Sequence, residues 1–169
     1  MAPGSETERG PSGEAPAGAD SAGVRVPPPL IYVVAFASGV GAELAVATPD
    51  VPVGVAIVVG VVGLALWMVL DPLAMWVFRR GGTQVPPSRP SSALVSAGPY
   101  RISRNPMYLG MLVLYAALAL TFAFWWSLAL LPFVFAFVDR VVVPREEAYL
   151  ERRFGTEYRT YRGKVRRWI

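Results

Sequence analysis

The polar residues best suited to chemistry are concentrated in one short segment at the start of a long apolar run. This segment, residues 98–110, holds two arginines, two tyrosines and an asparagine. Asn105 is a favourable helix N-cap residue and Pro106 fits the first helical position, so we predict that a helix begins here. The free N–H groups and positive dipole end of that helix can receive a carboxylate or phosphate, with Arg104 and Tyr108 beside them.

The same residues are also consistent with a purely structural role. Arginines commonly flank a transmembrane helix on its cytoplasmic side, and a capped helix start needs no ligand. Residues 98–110 by themselves therefore leave both interpretations open.

A second charged group lies in residues 144–169. Apolar side chains recur there at intervals of three or four residues, which indicates one face of a helix: Leu150, Phe154, Tyr158, Tyr161, Val165 and Trp168. Gly155 and Gly163 weaken that helix, so we expect two short helices on the membrane or folded over its loops. The paired carboxylates Glu146 and Glu147 are either site residues or solvated surface charges.

The composition indicates a membrane protein and removes several kinds of chemistry. The chain is 54% hydrophobic and 17% charged, outside the usual balance of a soluble domain. The absence of cysteine and histidine excludes disulfides, thiol nucleophiles, imidazole bases and thiolate or imidazole metal sites, and we expect no metal. Any general base must be a carboxylate, a tyrosine, the substrate or water.

Positive charge lies beside the apolar runs. Residues 1–28 hold two arginines and four acids, residues 79–105 five arginines and no acid, and residues 139–169 nine bases and five acids. A membrane surface explains this better than nucleic acid does, because these segments have no soluble fold to present them to a duplex. Residues 1–28, rich in Pro, Gly, Ser, Ala and Glu, are predicted to be a disordered tail and not a signal peptide.

Acidic residues interrupt the first two predicted spans, at about residues 30–47 and 53–78. Glu43 lies in the first span, which also carries two rows of small residues with four-residue spacing, Ala35 with Gly39 and Ala37 with Gly41. Asp71 lies in the second span, where Pro72 predicts a kink. An acid inside a span is a functional candidate, although a helix-packing hydrogen bond or an interfacial position would explain either one.

The uncharged run at residues 107–138 is too long for a single membrane crossing. It predicts a hairpin of two short helices, at about 107–123 and 125–143, with its turn near residues 124–127. The predicted fold class is an all-α integral membrane protein. It has about four transmembrane helices, the last two forming this hairpin, and an amphipathic cytoplasmic helical segment at 144–169. Residues 29–169 form a single domain, and the Lys and Arg distribution predicts that both termini are cytoplasmic.

The order and spacing of the two polar motifs around this hairpin resemble a family of membrane-embedded methyltransferases, which includes isoprenylcysteine carboxyl methyltransferase and phospholipid N-methyltransferases. The first motif is Gly-Pro-Tyr-Arg-x-x-Arg-Asn-Pro-Met-Tyr-Leu-Gly. The second is Glu-Glu-x-x-Leu-x-x-x-Phe-Gly-x-x-Tyr-x-x-Tyr-x-x-x-Val-x-x-Trp. The resemblance runs over residues 79–169, whereas the first two spans match only as apolar helices.

The resemblance implies that S-adenosylmethionine binds in a cytoplasm-facing pocket and that a prenylated or lipid-like acceptor enters from the bilayer. In this scheme the paired glutamates meet the cofactor's ammonium and ribose hydroxyls, and Arg104 or the helix N-terminus meets its carboxylate. Arg104 and Glu147 are also the candidate catalytic residues. The implied cofactor-binding residues are Tyr100, Arg104, Asn105, Pro106, Tyr108, Gly110, Glu146 and Glu147.

Asn105 departs from the pattern, because histidine often occupies this position in the members that methylate prenylated cysteine. The departure counts against that substrate more than against methyl transfer, since an in-line displacement from a sulfonium depends on alignment and requires no histidine. A non-catalytic membrane binding or transport partner with the same architecture is the main alternative. A membrane reductase with a nicotinamide cofactor is a weaker one, because the chain has no glycine-rich dinucleotide motif.

Overall fold

The computed structural model describes residues 27–46, 48–80 and 93–169, and its regular elements are all helical. The predicted tail at 1–28 lies almost entirely outside the described residues. The first half contains α1 at Pro28–Ala45, α2 at Val53–Arg80, a 3-10 turn at Gly98–Arg101 and α3 at Pro106–Thr121. The second half contains α4 at Trp125–Phe137, a π-helical segment at Val138–Val142, α5 at Val143–Phe154 and α6 at Thr156–Lys164.

Within the described ranges, three helical segments are long and apolar enough to cross a membrane. They are Pro28–Ala45, Val53–Arg80 and the continuous run Trp125–Phe154, and the shorter apolar helix Pro106–Thr121 accompanies them. Many large apolar side chains of α2 are exposed, as expected for a helix whose outer face contacts lipid. An all-α membrane protein with three to four spans confirms the predicted fold class.

The apolar run after Pro106 forms the predicted hairpin of α3 and α4. The turn occupies residues 122–124 and so starts earlier than we expected, with α4 beginning at Trp125. Ala123 has a positive φ of 55°, and the N–H of Phe124 donates to the carbonyl of Ala119 at 2.7 Å. Because these two features reverse the chain at once, the tryptophans fall in the first turn of α4 and not in the loop.

The last long helix does not stop near residue 143, where we expected the span to end. α4 runs through the π-helical segment into α5, so the helical backbone continues from Trp125 to Phe154, about 45 Å at 1.5 Å per residue. The charged residues after Pro144 therefore extend the same helix. Gly155, with a φ of 52°, ends it before α6, whereas Gly163 lies inside α6 without breaking it.

Glycines allow α2 and α3 to pack closely and antiparallel. A Cβ added at Gly63 in α2 would overlap the Ala117 side chain in α3. A Cβ added at Gly110 in α3 would overlap Oδ2 of Asp71 in α2. Small residues at such contacts let helix backbones approach, and the Asp71 carboxylate is thereby fixed at the level of Gly110.

One of the two predicted small-residue rows in α1 forms a helix contact. A Cβ added at Gly39 would overlap the backbone of Ser127 in α4, and the Ser127 hydroxyl donates to the carbonyl of Phe36 at 3.0 Å. At Gly41 no described atom lies within 4 Å of an added Cβ. The row that contains Gly39 therefore packs α1 against α4, and the other row is exposed.

Glu43 has a structural role in the same interface. Its Oε2 accepts the backbone N–H of Trp126 at 3.2 Å, and its Oε1 accepts the hydroxyl of Thr48. A carboxylate at a helix N-terminus satisfies a free N–H and complements the helix dipole. Of the two acids predicted inside spans, this one is accounted for by helix packing.

Candidate functional site

The end of the chain folds back onto the polar motif that precedes α3. The backbone N–H of Arg104 donates to the carbonyl of Arg166 at 3.0 Å, and the Ser103 hydroxyl donates to the carbonyl of Arg167 at 3.1 Å. The Tyr161 hydroxyl in α6 donates to the carbonyl of Tyr100 at 2.7 Å. These contacts bring the two sequence motifs together, as the hairpin predicted.

Asn105 takes the predicted position in front of α3, but its side chain does not cap the helix. Its Nδ2 donates instead to the carbonyl of Arg167 at 3.1 Å, and its backbone N–H donates to Ser103 Oγ at 3.1 Å. Pro106 is the buried first residue of α3. The amide of Asn105 thus fastens the C-terminal segment to the helix start, which gives this position a task that needs no titratable group.

Glu147 in α5 is the centre of a mostly buried ion-pair network. Its Oε1 lies 3.2 Å from Nη2 of Arg104, and the two side chains are 10% and 11% exposed. Arg167 donates to the same carboxylate twice, from Nε at 3.2 Å and from Nη2 at 2.7 Å. The hydrogen bond to Glu147 raises the pKa of Arg167 above its usual value, so the guanidinium keeps its charge.

Asp139, in the π-helical segment, holds the other side of Arg167. Its Oδ1 accepts Nη1 of Arg167 at 3.2 Å and Nε1 of Trp168 at 2.9 Å. Two carboxylates from one continuous helix therefore fix the last residues of the chain. Because these residues in turn contact Ser103 and Asn105, they also fix the segment that carries Arg104.

Arg104 has unused hydrogen-bonding capacity. Its Nε and Nη1 are buried and have no hydrogen-bond partner among the described residues. A buried donor without a partner costs about 1–3 kcal/mol, and such groups in native proteins call for an explanation. A planar guanidinium that Glu147 holds at Nη2, and whose Nε and Nη1 lack partners among the described residues, fits a carboxylate or phosphate ligand.

Glu146, the neighbour of Glu147, contacts α3. Its Oε1 accepts the Tyr108 hydroxyl at 2.6 Å, and the carbonyl of Tyr108 accepts the hydroxyl of Tyr32 in α1 at 3.4 Å. The paired glutamates therefore face two different elements. Both are engaged inside the fold, which excludes the interpretation that they are solvated surface charges.

The tyrosines around the site outside the spans are protonated at neutral pH. Burial raises the pKa of the Tyr158 hydroxyl to about 12, and burial also raises the pKa values of Tyr100 and Tyr161 well above their usual range. These hydroxyls therefore act as hydrogen-bond donors. Of the candidate bases considered from the composition, these three tyrosines are unsuited to the role.

Sequence reasoning missed Arg167 and Asp139. Arg167 stands between Val165 and Trp168 of the second motif, at a position that the motif leaves unspecified. Asp139 is the first charged residue after the long uncharged run, and an acid at a membrane boundary was the available signal. Gly110 was predicted as a cofactor contact, and its nearest neighbour in the structure is the Asp71 carboxylate.

Most of the segment that contains this site matches a known protein family. The profile of the family described as "Phospholipid methyltransferase" matches residues 55–157 of the sequence, which is more than half of the chain. The chain belongs to the phospholipid methyltransferase family. This result confirms the predicted resemblance and supports an enzyme of the membrane methyltransferase type.

The matched region of this phospholipid methyltransferase family member includes Asp71, Arg104, Glu146 and Glu147, and it ends before Arg167. An uncharacterised protein of Haemophilus influenzae is 53% identical over 32 residues, which make up 19% of this chain and 51% of that protein. The chain thus spans about half the length of that relative. No solved structure matches the sequence.

Proposed function

We propose that this member of the phospholipid methyltransferase family transfers a methyl group from S-adenosylmethionine to a hydrophobic, prenylated or lipid-like acceptor at the cytoplasmic face of the membrane. The observation that carries the proposal is the buried Arg104 guanidinium, whose Nε and Nη1 have no hydrogen-bond partner in the part of the chain that the structure describes. S-adenosylmethionine carries a carboxylate, which is the group that a guanidinium fork binds best. The family match adds the reaction type.

Arg104 would hold the cofactor's carboxylate, and Glu147 would position Arg104. The carboxylate of Glu147 already accepts hydrogen bonds from Arg167 through both of its oxygens, so its contribution is to orient the neighbouring guanidinium and offset its charge. A guanidinium fixed before the ligand arrives loses less conformational entropy on binding. This assignment replaces a direct contact between Glu147 and the cofactor's ammonium.

Glu146 and Tyr108 form the polar surface next to this anchor. Their hydrogen bond of 2.6 Å places a carboxylate and a phenol at the start of α3, and both can exchange hydrogen bonds with an ammonium or with ribose hydroxyls. When bound, the cofactor supplies an electrophilic methyl group on a sulfonium. The residues of the chain contribute position and alignment, which can provide a large part of the rate in such a displacement.

A direct test combines binding with transfer. Calorimetric titration of S-adenosylhomocysteine into the detergent-solubilised protein measures occupancy of the cofactor site, and transfer of a labelled methyl group into a lipid extract measures the reaction. We expect S-adenosylhomocysteine to bind and the labelled methyl group to appear in a product that is soluble in organic solvent. Binding without transfer to any lipid fraction would favour a non-catalytic binding protein, and an absence of both would refute the proposed function.

A further inference from the structure

Asp71 forms no ion pair with any residue that the structure describes. It belongs to α2, its Oδ2 is buried, and that atom has no hydrogen-bond partner among the described residues. Glu43, the other acid within a predicted span, has two partners. An acid in a membrane span is expensive unless something compensates for it, so the two acids call for different explanations.

The Asp71 carboxylate lies at the closest approach of α2 and α3, beside the candidate site. A Cβ added at Gly110 would lie 2.8 Å from Asp71 Cγ, and it would overlap Oδ2. Gly110 is one helical turn beyond Pro106, about 6 Å along α3. The buried Tyr100 hydroxyl lies within electrostatic range of both Asp71 and Glu146. Asp71 therefore lies at the same end of the bundle as Arg104.

The face of α2 that carries Asp71 also borders the lipid. Asp71 as a whole is partly exposed, and Met68, one helical turn before it on the same face of α2, is 56% exposed. A molecule that diffuses in the membrane can reach this face of α2 without passing through the network around Glu147. A carboxylate with one oxygen unpartnered among the described residues, between the candidate site and a lipid-facing surface, is suited to receive a cation.

We propose that Asp71 is a catalytic residue for the acceptor: its carboxylate binds the ammonium of a primary or secondary amine on a lipid and removes one proton from it. The proposal rests on the proposed function. A protonated amine has no lone pair and cannot accept a methyl group, so it must lose a proton first. In the proton transfer, the N–H bond breaks, its electron pair stays on nitrogen, and the proton forms an O–H bond with Asp71. The products are a neutral amine and a neutral carboxylic acid.

The test uses the full chain in detergent or vesicles, with Asp71→Asn as the variant. Asparagine keeps the size of the side chain but can neither attract a cation strongly nor accept a proton. With phosphatidylethanolamine vesicles as the acceptor, we expect transfer to fall by at least about a hundredfold, in keeping with the 10²–10⁴-fold contribution typical of a general base. S-adenosylhomocysteine affinity should remain within about threefold of wild type, less than 0.7 kcal/mol.

Glu43→Gln is the matched control, since it neutralises the other intramembrane acid at a position explained by helix packing. We expect wild-type transfer from it, and Asp71→Glu should regain part of the activity by restoring the charge. Equal transfer by wild type and Asp71→Asn would overturn the inference. The inference would also be overturned if the wild-type protein transferred methyl groups only to lipids without an amine. That result would leave the proposed methyltransferase function intact. If Asp71→Asn lost as much affinity for S-adenosylmethionine as it lost transfer activity, Asp71 would instead be assigned to binding the sulfonium. That result would also overturn the inference.

Discussion

Replacement of Arg104 by lysine should weaken binding of S-adenosylhomocysteine by about tenfold to more than a hundredfold. Lysine keeps the positive charge beside Glu147, whose Oε1 lies 3.2 Å from Nη2 of Arg104 in the wild type. It loses the planar fork that can contact two acceptors. A hydrogen bond to a charged partner contributes about 1.5–3 kcal/mol, which corresponds to this range of affinity. Little of the effect should be screened by solvent, since the Arg104 side chain is 11% exposed.

The same variant should change the protein's stability much less than its affinity. Nε and Nη1 of Arg104 have no partner in the described part of the chain, so lysine removes donors that are unsatisfied in the absence of ligand. We expect the Tm without ligand to stay close to that of wild type, and the rise in Tm on adding S-adenosylhomocysteine to become smaller.

Calorimetric titration and thermal unfolding of the detergent-solubilised protein measure these two quantities. Arg162→Lys is the control, because that arginine pairs with Glu151 at 3.2 Å on the surface with 50% of its side chain exposed. Its affinity should match wild type. If Arg104→Lys also binds with wild-type affinity while its fold is intact, Arg104 does not hold the carboxylate and our reasoning about its free N–H groups is wrong.

Three further predictions concern the network, the helix contact and the topology. Glu147→Gln should weaken S-adenosylhomocysteine binding by about 1.5–3 kcal/mol in calorimetry, because an amide cannot hold two guanidinium groups. Glu151→Gln is the surface control, and equal affinity of the two variants for S-adenosylhomocysteine would contradict this role of Glu147. Gly110→Ala should destabilise the fold by about 1–3 kcal/mol, because its Cβ overlaps Asp71 Oδ2. Thermal unfolding should show that Asp71→Ala relieves part of this cost in the double variant, and strict additivity would contradict the contact. Single cysteines at Ser5, Ser88 and Thr160 should resist an impermeant thiol reagent in intact cells while one at Asp50 reacts, and labelling at Ser88 would contradict cytoplasmic loops.

Local composition and periodicity were sufficient to predict the apolar helices, although not that the last of them continues to Phe154. Uninterrupted apolar residues specify membrane helices because every backbone polar group in lipid must be satisfied within the segment, and Pro106 and Gly155 mark where a helix begins or ends. The start of α3 and the hairpin after it were therefore predictable. The turn at residues 122–124 was not, since it depends on the positive φ of Ala123, which alanine rarely adopts.

Only the tertiary structure decided how the charges are paired. Arg104, Glu146 and Glu147 were identified as candidates from the sequence, but nothing in it connected Arg167 to Glu147. These two residues are 20 positions apart. They meet because the helix breaks at Gly155 and the last residues return to Ser103. Likewise, Glu43 and Asp71 look alike in sequence, as single acids in apolar runs. They differ because Glu43 reaches the N–H of Trp126 at the start of another helix, whereas Asp71 lies against Gly110 with one oxygen unpaired among the described residues. Such pairing depends on which helix faces which, and hydrophobic periodicity carries no information about that choice.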